Sequence, residues 1–269
     1  MEIKRVSETK VSEAQSVLGW GAAGSGKTVF GGSAGDDSLF INNGGGAETL
    51  RSKWFRETYK TNPFIVDIPI DSPNTKLRSM DLVEQAIQFG LTSPDINTIT
   101  LDDSTTFRMS SMIRAMEYNL DENKSKTLTA AKKNDFVLPV VQDYGTEMEL
   151  TRQFLAYYIV ECKAVNKNFI VLAHERKIFS SAKKIGEPPI HIKDVPSFTG
   201  ADKNPDAVAG MFDWVLYFQA IGGGNHIVYR ATTEGDETLL AKSRHKNLLP
   251  VKWDNPNFKT LIQKVKESR

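Results

Sequence analysis

Eight residues near the amino terminus have the types and spacing of a phosphate-binding loop. Residues 21–28 read Gly-Ala-Ala-Gly-Ser-Gly-Lys-Thr and match G-x-x-x-x-G-K-[ST] at every fixed position. Glycines let backbone N–H groups point at a phosphate, the Lys27 ammonium bonds outer phosphate oxygens, and the Thr28 hydroxyl is a ligand for Mg²⁺. The motif predicts a nucleoside triphosphate site made by Gly21, Ala22, Ala23, Gly24, Ser25, Gly26, Lys27, Thr28 and Val29.

A phosphate site of this kind needs a second strand that ends in a carboxylate near the metal ion. Residues 96–103, Ile-Asn-Thr-Ile-Thr-Leu-Asp-Asp, form an extended apolar run that ends in two acids. Asp103 has the same strand parity as Ile99 and Leu101, whereas Asp102 points to the opposite face. Only one of the two acids is therefore expected to reach Mg²⁺ together with Thr28, and parity does not say which. The alternative interpretation is an acidic turn without a metal.

Composition places the chain among ordinary globular proteins. Its 269 residues are 40% hydrophobic and 25% charged, and the net charge of +1 gives no overall basic field for nucleic acid or membranes. The single cysteine, Cys162, excludes a disulfide framework and a zinc site of paired thiolates. Residues 1–15 carry no signal-peptide core, and no apolar run has membrane length. We expect one cytoplasmic domain over residues 1–269, with no membrane partner.

Short apolar runs alternate with helical patterns, which is typical of parallel strands joined by crossover helices. The sequence therefore predicts an α/β fold with a mainly parallel sheet flanked by helices. Predicted strands cover 16–20, 39–42, 64–68, 96–101 and 169–173; predicted helices include one that stops near Gly90 and one over 146–165. The helix after the phosphate loop should be short, because Gly31, Gly32 and Gly35 weaken it.

The carboxyl-terminal part begins with a long polar stretch. Residues 180–210 contain four prolines and several glycines, and we expect a loop, which at this length is usually functional. Three further strands are predicted over 214–218, 227–232 and 239–241, and they extend the sheet. A final helix should follow Asn255-Pro256.

The order of these parts resembles the RecA-like branch of P-loop ATPases, and most closely the phage-encoded RecA-like single-strand annealing and recombination proteins. The resemblance covers most of the chain: the strand and phosphate loop, the Gly44-Gly45-Gly46 turn after the second strand, and the Asp103-Ser104 pair. It also includes the strand over 169–173, whose end at His174 resembles a polar sensor near the γ-phosphate. The resemblance implies ATP and Mg²⁺ as ligands, Thr28 and Asp103 as the residues at Mg²⁺, and ATP hydrolysis as the activity.

One departure from the family concerns the acid that activates the attacking water. The family usually has a glutamate near the end of the second strand, whereas this chain has Asn42-Asn43-Gly44 there. Three other acids could substitute, and the sequence does not choose among them. The candidate catalytic residues are Lys27, Asp103, Asp102, His174, Glu175 and Glu48.

Late in the chain, Lys242-Ser243-Arg244 resembles the K-x-R element with which some RecA-like oligomers reach the nucleotide site of a neighbouring subunit. Such cations stabilise the charge that develops on the transferred phosphoryl group. The resemblance therefore implies that Lys242 and Arg244 act in trans within a homo-oligomer, either a ring or a filament. Without the family, two cations on one strand face are more often a solvated edge.

The resemblance also implies that loops after the fourth and fifth strands contact single-stranded DNA. Residues 175–204 carry six cations against four acids, a net charge of +2, and Phe179 and Phe198 are available to stack on bases. Contacts this few per subunit would gain strength along an oligomer. The candidate DNA-binding residues are Lys124, Lys126, Lys132, Lys133, Arg176, Lys177, Lys183 and Lys184.

Three functions remain open at this point. The first is a DNA-binding ATPase for annealing or recombination, with or without help from a single-strand binding protein. The second is a phosphotransferase acting on a small molecule, with residues 180–210 as a lid, although that stretch contains no arginine to bind phosphates. The third is an assembly switch that binds ATP and hydrolyses it slowly, which the missing glutamate favours.

Overall fold

The computed structural model describes residues 12–71, 78–121, 139, 141–180, 189–198, 205–223 and 227–268, and within these it contains ten strands and eight helices. The strands are β1 (Ser16–Gly21), β2 (Ser38–Asn42), β3 (Phe64–Asp67), β4 (Thr98–Asp102), β5 (Asn168–Phe179), β6 (His191–Pro196), β7 (Trp214–Ile221), β8 (Val228–Thr232), β9 (Lys242–Ser243) and β10 (Lys252–Asp254). The helices are α1 (Lys27–Gly32), α2 (Glu48–Arg51), α3 (Lys53–Tyr59), α4 (Ser79–Thr92), α5 (Ser104–Asp121), α6 (Val141–Ala164), α7 (Pro205–Met211) and α8 (Phe258–Glu267).

One sheet organises the chain, with strand order β10-β8-β7-β1-β5-β4-β2-β3. The strands from β7 to β3 along this order pair in parallel, and β8 and β10 add antiparallel strands at one end. The two remaining strands pair outside this path, β6 with β5 and β9 with β7. The predicted α/β fold is confirmed: a mainly parallel sheet flanked by helices, which carboxyl-terminal strands extend.

Apolar layers cover both faces of this sheet, because successive strand residues point to opposite sides. On β1, Leu18 belongs to the layer that contains Phe154 of α6, and its neighbour Val17 belongs to the layer that contains Phe30 of α1. Burial on both faces explains why these strands read as continuous apolar runs.

Helix α1 has six residues, which confirms the prediction of a short helix. A Cβ atom on Gly31 would lie 2.9 Å from Thr100 Cγ2, and one on Gly32 would lie 2.4 Å from Leu50 Cδ2. The glycines that weaken α1 therefore let it pack closely on β4 and α2. This close packing holds the carboxyl-terminal end of α1 against the middle of β4 and against α2.

Helices α4, α5 and α6 pack as the predicted crossover segments, with two differences in length. Helix α4 runs two residues past Gly90, where the sequence predicts a stop. A Cβ atom on Gly90 would lie 2.8 Å from Ile99 Cδ1, so this glycine serves a close approach to β4 instead of a helix end. Helix α6 begins at Val141, five residues before the predicted start. Among the described residues, no helix has both the length and the apolar character needed to cross a membrane.

The prediction of a continuous loop over residues 180–210 is wrong. Strand β5 continues beyond the sheet to Phe179 and pairs with antiparallel β6, and α7 begins at Pro205. In β6 only Val195 and Pro196 are buried, at the end of the strand, so the sequence of this pair shows no apolar alternation. Backbone hydrogen bonds between β5 and β6 stabilise this pair of strands in place of an apolar face.

The strand predicted over 239–241 is also wrong in position. Leu239 forms an isolated bridge with Asp194, and the backbone oxygen of Leu240 accepts a hydrogen bond from Trp20 Nε1 at 2.9 Å. The strand that pairs with β7 follows directly, at Lys242–Ser243. These leucines are therefore placed by contacts with buried side chains of other strands, which a local pattern does not reveal.

Candidate nucleotide site

The phosphate loop (residues 21–28) lies between the end of β1 and the start of α1, at the carboxyl-terminal edge of the sheet. Gly24 and Gly26 have φ angles of 74° and 95°, in the region that favours glycine. A Cβ atom on Gly26 would also lie 2.6 Å from the ring of Tyr229. The last glycine of the motif is thus required both by its backbone conformation and by a packed side chain.

Lys27 is buried and folds back over the phosphate loop. Its Nζ donates to the backbone oxygens of Gly21 at 2.8 Å and Ala22 at 2.7 Å. Burial lowers the pKa of Lys27, and the nearby carboxylates Asp102, Asp103 and Glu175 act against this decrease. The ammonium is therefore held at the loop among three acids, where phosphate oxygens would be stronger acceptors than neutral carbonyls.

Thr28 contacts Asp102 and not Asp103, the acid predicted to join Thr28 at Mg²⁺, and which of the two acids binds the metal ion stays a prediction. The Thr28 Oγ1 donates to Asp102 Oδ2 at 2.7 Å. The parity argument separates the two acids correctly, but the phosphate loop lies on the face of β4 that carries Thr100 and Asp102, not on the face of Ile99 and Leu101. Asp102 is therefore the carboxylate that ends the second strand of the site.

The hydroxyl of Thr28 and the carboxylate of Asp102 fit Mg²⁺, which prefers oxygen ligands. Burial raises the pKa of Asp102 to about 6, and the hydrogen bond from Thr28 acts in the opposite direction. A buried carboxylate of this kind is stabilised in its charged form by a bound cation. Among the described residues, no group of three or more histidine, cysteine or acidic side chains could hold a metal ion, so phosphate and water oxygens would complete the ligand set.

Asp103 contacts His174 of the neighbouring strand. Its Oδ2 lies 2.9 Å from His174 Nε2, and its Oδ1 accepts from the backbone N–H of Thr106 at 2.6 Å in the first turn of α5. Burial alone would raise the pKa of Asp103, but the hydrogen bonds from His174 and Thr106 outweigh it and lower the pKa. Asp103 is therefore an ionised carboxylate that fixes the orientation of the imidazole.

The glycine turn after β2 approaches both acids closely. A Cβ atom on Gly44 would lie 2.8 Å from Asp103 Oδ2, and one on Gly46 would lie 2.8 Å from Asp102 Oδ2. Any side chain at either position would displace a carboxylate. The Asn42 amide donates to Asp67 of β3 at 2.6 Å and does not line the cavity, so the turn after β2 brings glycines to the site in place of an acid.

The structure separates the other two candidate acids. Glu48 pairs with Arg51, its side chain is 78% exposed, and it does not line the cavity at the phosphate loop. Glu175 accepts a hydrogen bond from the Tyr217 hydroxyl at 3.3 Å and lies on the face of β5 opposite to His174. Of the three acids predicted as possible substitutes, only Asp102 lines the cavity, and His174, which the sequence predicts as a polar sensor, lines it as well.

These groups surround one cavity of about 280 Å³. Sequence reasoning missed one of its walls, Tyr229 on β8, because no motif marks that position. A larger open cavity of about 520 Å³, at the opposite edge of the sheet, contains no residue of the phosphate loop. The residues that line the smaller cavity are Ala23, Gly24, Ser25, Gly26, Lys27, Thr28, Val29, Gly44, Gly45, Gly46, Thr49, Asp102, Asp103, His174 and Tyr229.

Lys242 and Arg244 lie at the opposite edge of the sheet from the phosphate loop of the same chain. Strand β9 pairs with the first residues of β7, whereas Gly21 pairs with Phe218 further along that strand. Lys242 Nζ donates to the Gly210 oxygen at 3.0 Å, and Arg244 Nη1 donates to Asp213 Oδ1 at 3.1 Å. Neither cation reaches the site within one chain, and action in trans stays a prediction.

The described DNA-binding candidates are Arg176 and Lys177, which lie on the projecting β5–β6 hairpin two and three residues after His174. Phe179 is 49% exposed near the end of β5, but Phe198 is fully buried, so the prediction that Phe198 stacks on bases is wrong. Phe198 belongs to the apolar layer with Phe107 and Phe154. The other candidates lie outside the described residues: Lys124, Lys126, Lys132, Lys133, Lys183 and Lys184.

Comparison with known proteins gives structural similarity without a family. No family model matches the sequence, and no curated protein matches it. Solved structures do match, among them a KaiC-like protein from the hyperthermophilic archaeon Pyrococcus horikoshii OT3. That match covers 90% of this chain and 87% of the other, with 12% identity and a TM-score of 0.42. Similarity at this level assigns no activity, so the chemistry has to be argued from the site itself.

Proposed function

We propose that this chain is a RecA-like ATPase that forms homo-oligomers and binds single-stranded DNA to promote annealing or recombination. The observation that carries the ATPase part is the 2.7 Å contact between Thr28 and Asp102. It joins a complete phosphate loop to the acidic end of β4, and buried Lys27 lies beside them. ATP and Mg²⁺ are the ligands that this combination of groups is suited to bind.

The residues around the cavity divide the chemistry among them. The backbone N–H groups of residues 22–28 and the Lys27 ammonium bind phosphate oxygens, and Thr28 and Asp102 hold the metal ion. Bound Mg²⁺ supplies charge neutralisation on the phosphates. His174, oriented by Asp103 through Nε2, has Nδ1 available to accept a proton as water attacks the terminal phosphate. The products are ADP, phosphate and one proton.

The β5–β6 hairpin supports the DNA-binding part of the proposal. It projects from the same edge of the sheet as the nucleotide site, and Arg176 follows His174 on the same strand. Lys177 is exposed on this hairpin, and Phe179 beside it is half exposed. Because one strand carries both the imidazole and the cations, a change in the position of His174 on nucleotide binding would be transmitted to the hairpin.

The decisive experiment is ATP hydrolysis by the purified protein with and without single-stranded DNA, over a range of protein concentrations at low salt. DNA stimulation that rises more than linearly with protein supports the proposal. Lys27→Ala should remove all turnover. Turnover without any response to DNA would contradict the DNA-binding part, and ATP-dependent assembly with negligible turnover would favour the assembly switch.

A matched pair of charge reversals tests the hairpin separately. Lys177→Glu should reduce DNA stimulation and flatten the dependence of DNA affinity on salt, because each lost phosphate contact removes about one released counterion. Lys259→Glu is the control, since Lys259 is exposed on α8 at the other edge of the sheet. Equal effects of the two variants would show that the hairpin does not contact DNA.

A small-molecule phosphotransferase remains the alternative reaction. Its expected lid over residues 180–210 is in part the β5–β6 hairpin and α7. Phosphate transfer to a small acceptor, without DNA stimulation, would identify this activity. The absence of arginine from residues 180–210 favours the DNA-dependent proposal.

A further inference from the structure

The cavity at the phosphate loop has different walls on the two sides of β1. In the sheet, β5 and β4 lie on one side of β1, and β7 and β8 lie on the other. His174, Asp103 and Asp102 come from the first side, and Tyr229 comes from the second. The charged groups and the tyrosine therefore approach the phosphate loop from opposite directions.

This arrangement sets a direction for a bound nucleotide. The terminal phosphate belongs beside the metal ligands and His174, because the attacking water must be activated there. The phosphate chain then crosses the loop at Lys27 and Gly26, away from β4 and β5. The nucleoside end must leave the cavity toward β7 and β8.

Tyr229 is positioned at that end by packing and by its backbone. A Cβ atom on Gly26 would lie 2.6 Å from Tyr229 Cγ and Cδ1, so the ring rests directly on the phosphate loop. The Tyr229 backbone pairs with Ala220 of β7, and its oxygen accepts from the Asn255 N–H at 2.6 Å. The ring is partly exposed. Among the described residues that line the cavity, Tyr229 is the one with a phenol ring.

We infer that the Tyr229 ring stacks on the base of the bound nucleotide and supplies the affinity for its nucleoside part. The inference rests on the proposed nucleotide binding at the phosphate loop. The other walls of the cavity are small or polar and bind phosphate and metal, so they give a base no flat apolar surface. Every base has a π-face, and stacking on an aromatic ring is tolerant of base identity. Tyr229 should therefore strengthen the binding of ATP and GTP alike.

The test compares ATP with inorganic tripolyphosphate, which has the phosphates without the nucleoside. Tyr229→Leu keeps apolar volume over Gly26 but removes the aromatic face, and it should weaken ATP binding by about 5- to 150-fold. Its affinity for tripolyphosphate should not change. Tyr229→Phe should bind ATP like the wild type. Tyr157→Leu is the control, because Tyr157 lies exposed on α6.

Two results would overturn the inference while leaving the proposed function in place. One is an unchanged ATP affinity of Tyr229→Leu; the other is an equal loss for ATP and tripolyphosphate, which would mean that the ring only supports the loop. Lys27→Ala should bind neither ATP nor tripolyphosphate. This variant therefore tests the proposed phosphate binding separately from the role of Tyr229. A wild-type protein that bound neither ligand would refute the proposed function and this inference with it.

Discussion

Nε2 of His174 lies 2.9 Å from Oδ2 of Asp103, so a carboxylate of β4's end orients an imidazole of β5 in the nucleotide cavity. The residues are 71 positions apart in the chain, and the parallel pairing of β4 with β5 brings their strand ends together. Asp102, one residue earlier, bonds Thr28 instead. Two adjacent acids therefore contact different partners, Asp102 the Thr28 hydroxyl and Asp103 the imidazole.

His174→Gln should lower the rate of ATP hydrolysis by about 10²- to 10⁴-fold, because a glutamine retains polarity but cannot accept the proton from water. ATP affinity should change little, since phosphate binding depends on the phosphate loop. Single-turnover hydrolysis and equilibrium binding measure the two effects separately. If His174→Gln hydrolyses ATP like the wild type, the imidazole is a polar sensor and the base lies elsewhere.

Asp102→Asn should weaken Mg²⁺-dependent ATP binding, because it removes the anionic oxygen that Thr28 contacts. Asp103→Asn is the matched control and should keep that binding while it lowers turnover. The measurement is the ATP affinity of each variant in the presence of Mg²⁺ and in the presence of EDTA. The opposite pattern, with Mg²⁺ dependence lost in Asp103→Asn, would support Asp103 as the metal ligand, as the family resemblance implies.

Lys242→Ala and Arg244→Ala should each lower ATP turnover with little change in ATP affinity, because cations acting in trans stabilise mainly the transition state. Mixing Arg244→Ala with Lys27→Ala protein should restore part of the turnover, since some mixed interfaces combine an intact phosphate loop with an intact Arg244. The measurement is hydrolysis as a function of mixing ratio. No recovery on mixing would contradict action in trans and leave the contact with Asp213 as the role of Arg244.

Asp213→Asn should destabilise the protein at pH 7 by about 1–3 kcal/mol. Burial alone would raise the pKa of Asp213, but hydrogen bonds from Lys163 and Ser16 outweigh it and lower the pKa below 3.8. A carboxylate whose pKa is lower in the folded protein stabilises the fold at pH values above its pKa in the unfolded chain. This stabilisation is lost as the pH falls through its pKa in the folded protein.

The difference in the free energy of unfolding between Asp213→Asn and the wild type should therefore become smaller below about pH 4. Urea denaturation at pH 7 and at pH 3 measures it. Asp254→Asn is the control, because Asp254 forms an exposed pair with Arg230 and should contribute less. If Asp213→Asn lowers the free energy of unfolding equally at pH 7 and pH 3, the charge of Asp213 is not what stabilises the fold.

Pairing between strands decided several features that the local pattern predicted wrongly. Residues 191–196 carry no apolar alternation, and they form a strand only because β5 extends to meet them. Gly90 resembles a helix stop in sequence, yet close packing on Ile99 lets the helix continue through it. Each error arises where a contact between distant segments overrides a local preference.

The sequence by itself determined the phosphate loop, the acidic strand end and the α/β alternation, because these depend on residue types at short spacing. The tertiary structure alone decided that Asp102 meets Thr28, that Asp103 holds His174 and that Tyr229 covers Gly26. Parity along β4 separates Asp102 from Asp103 but does not say which face α1 covers. That choice follows from the order of strands in the sheet and from the helices packed on each face.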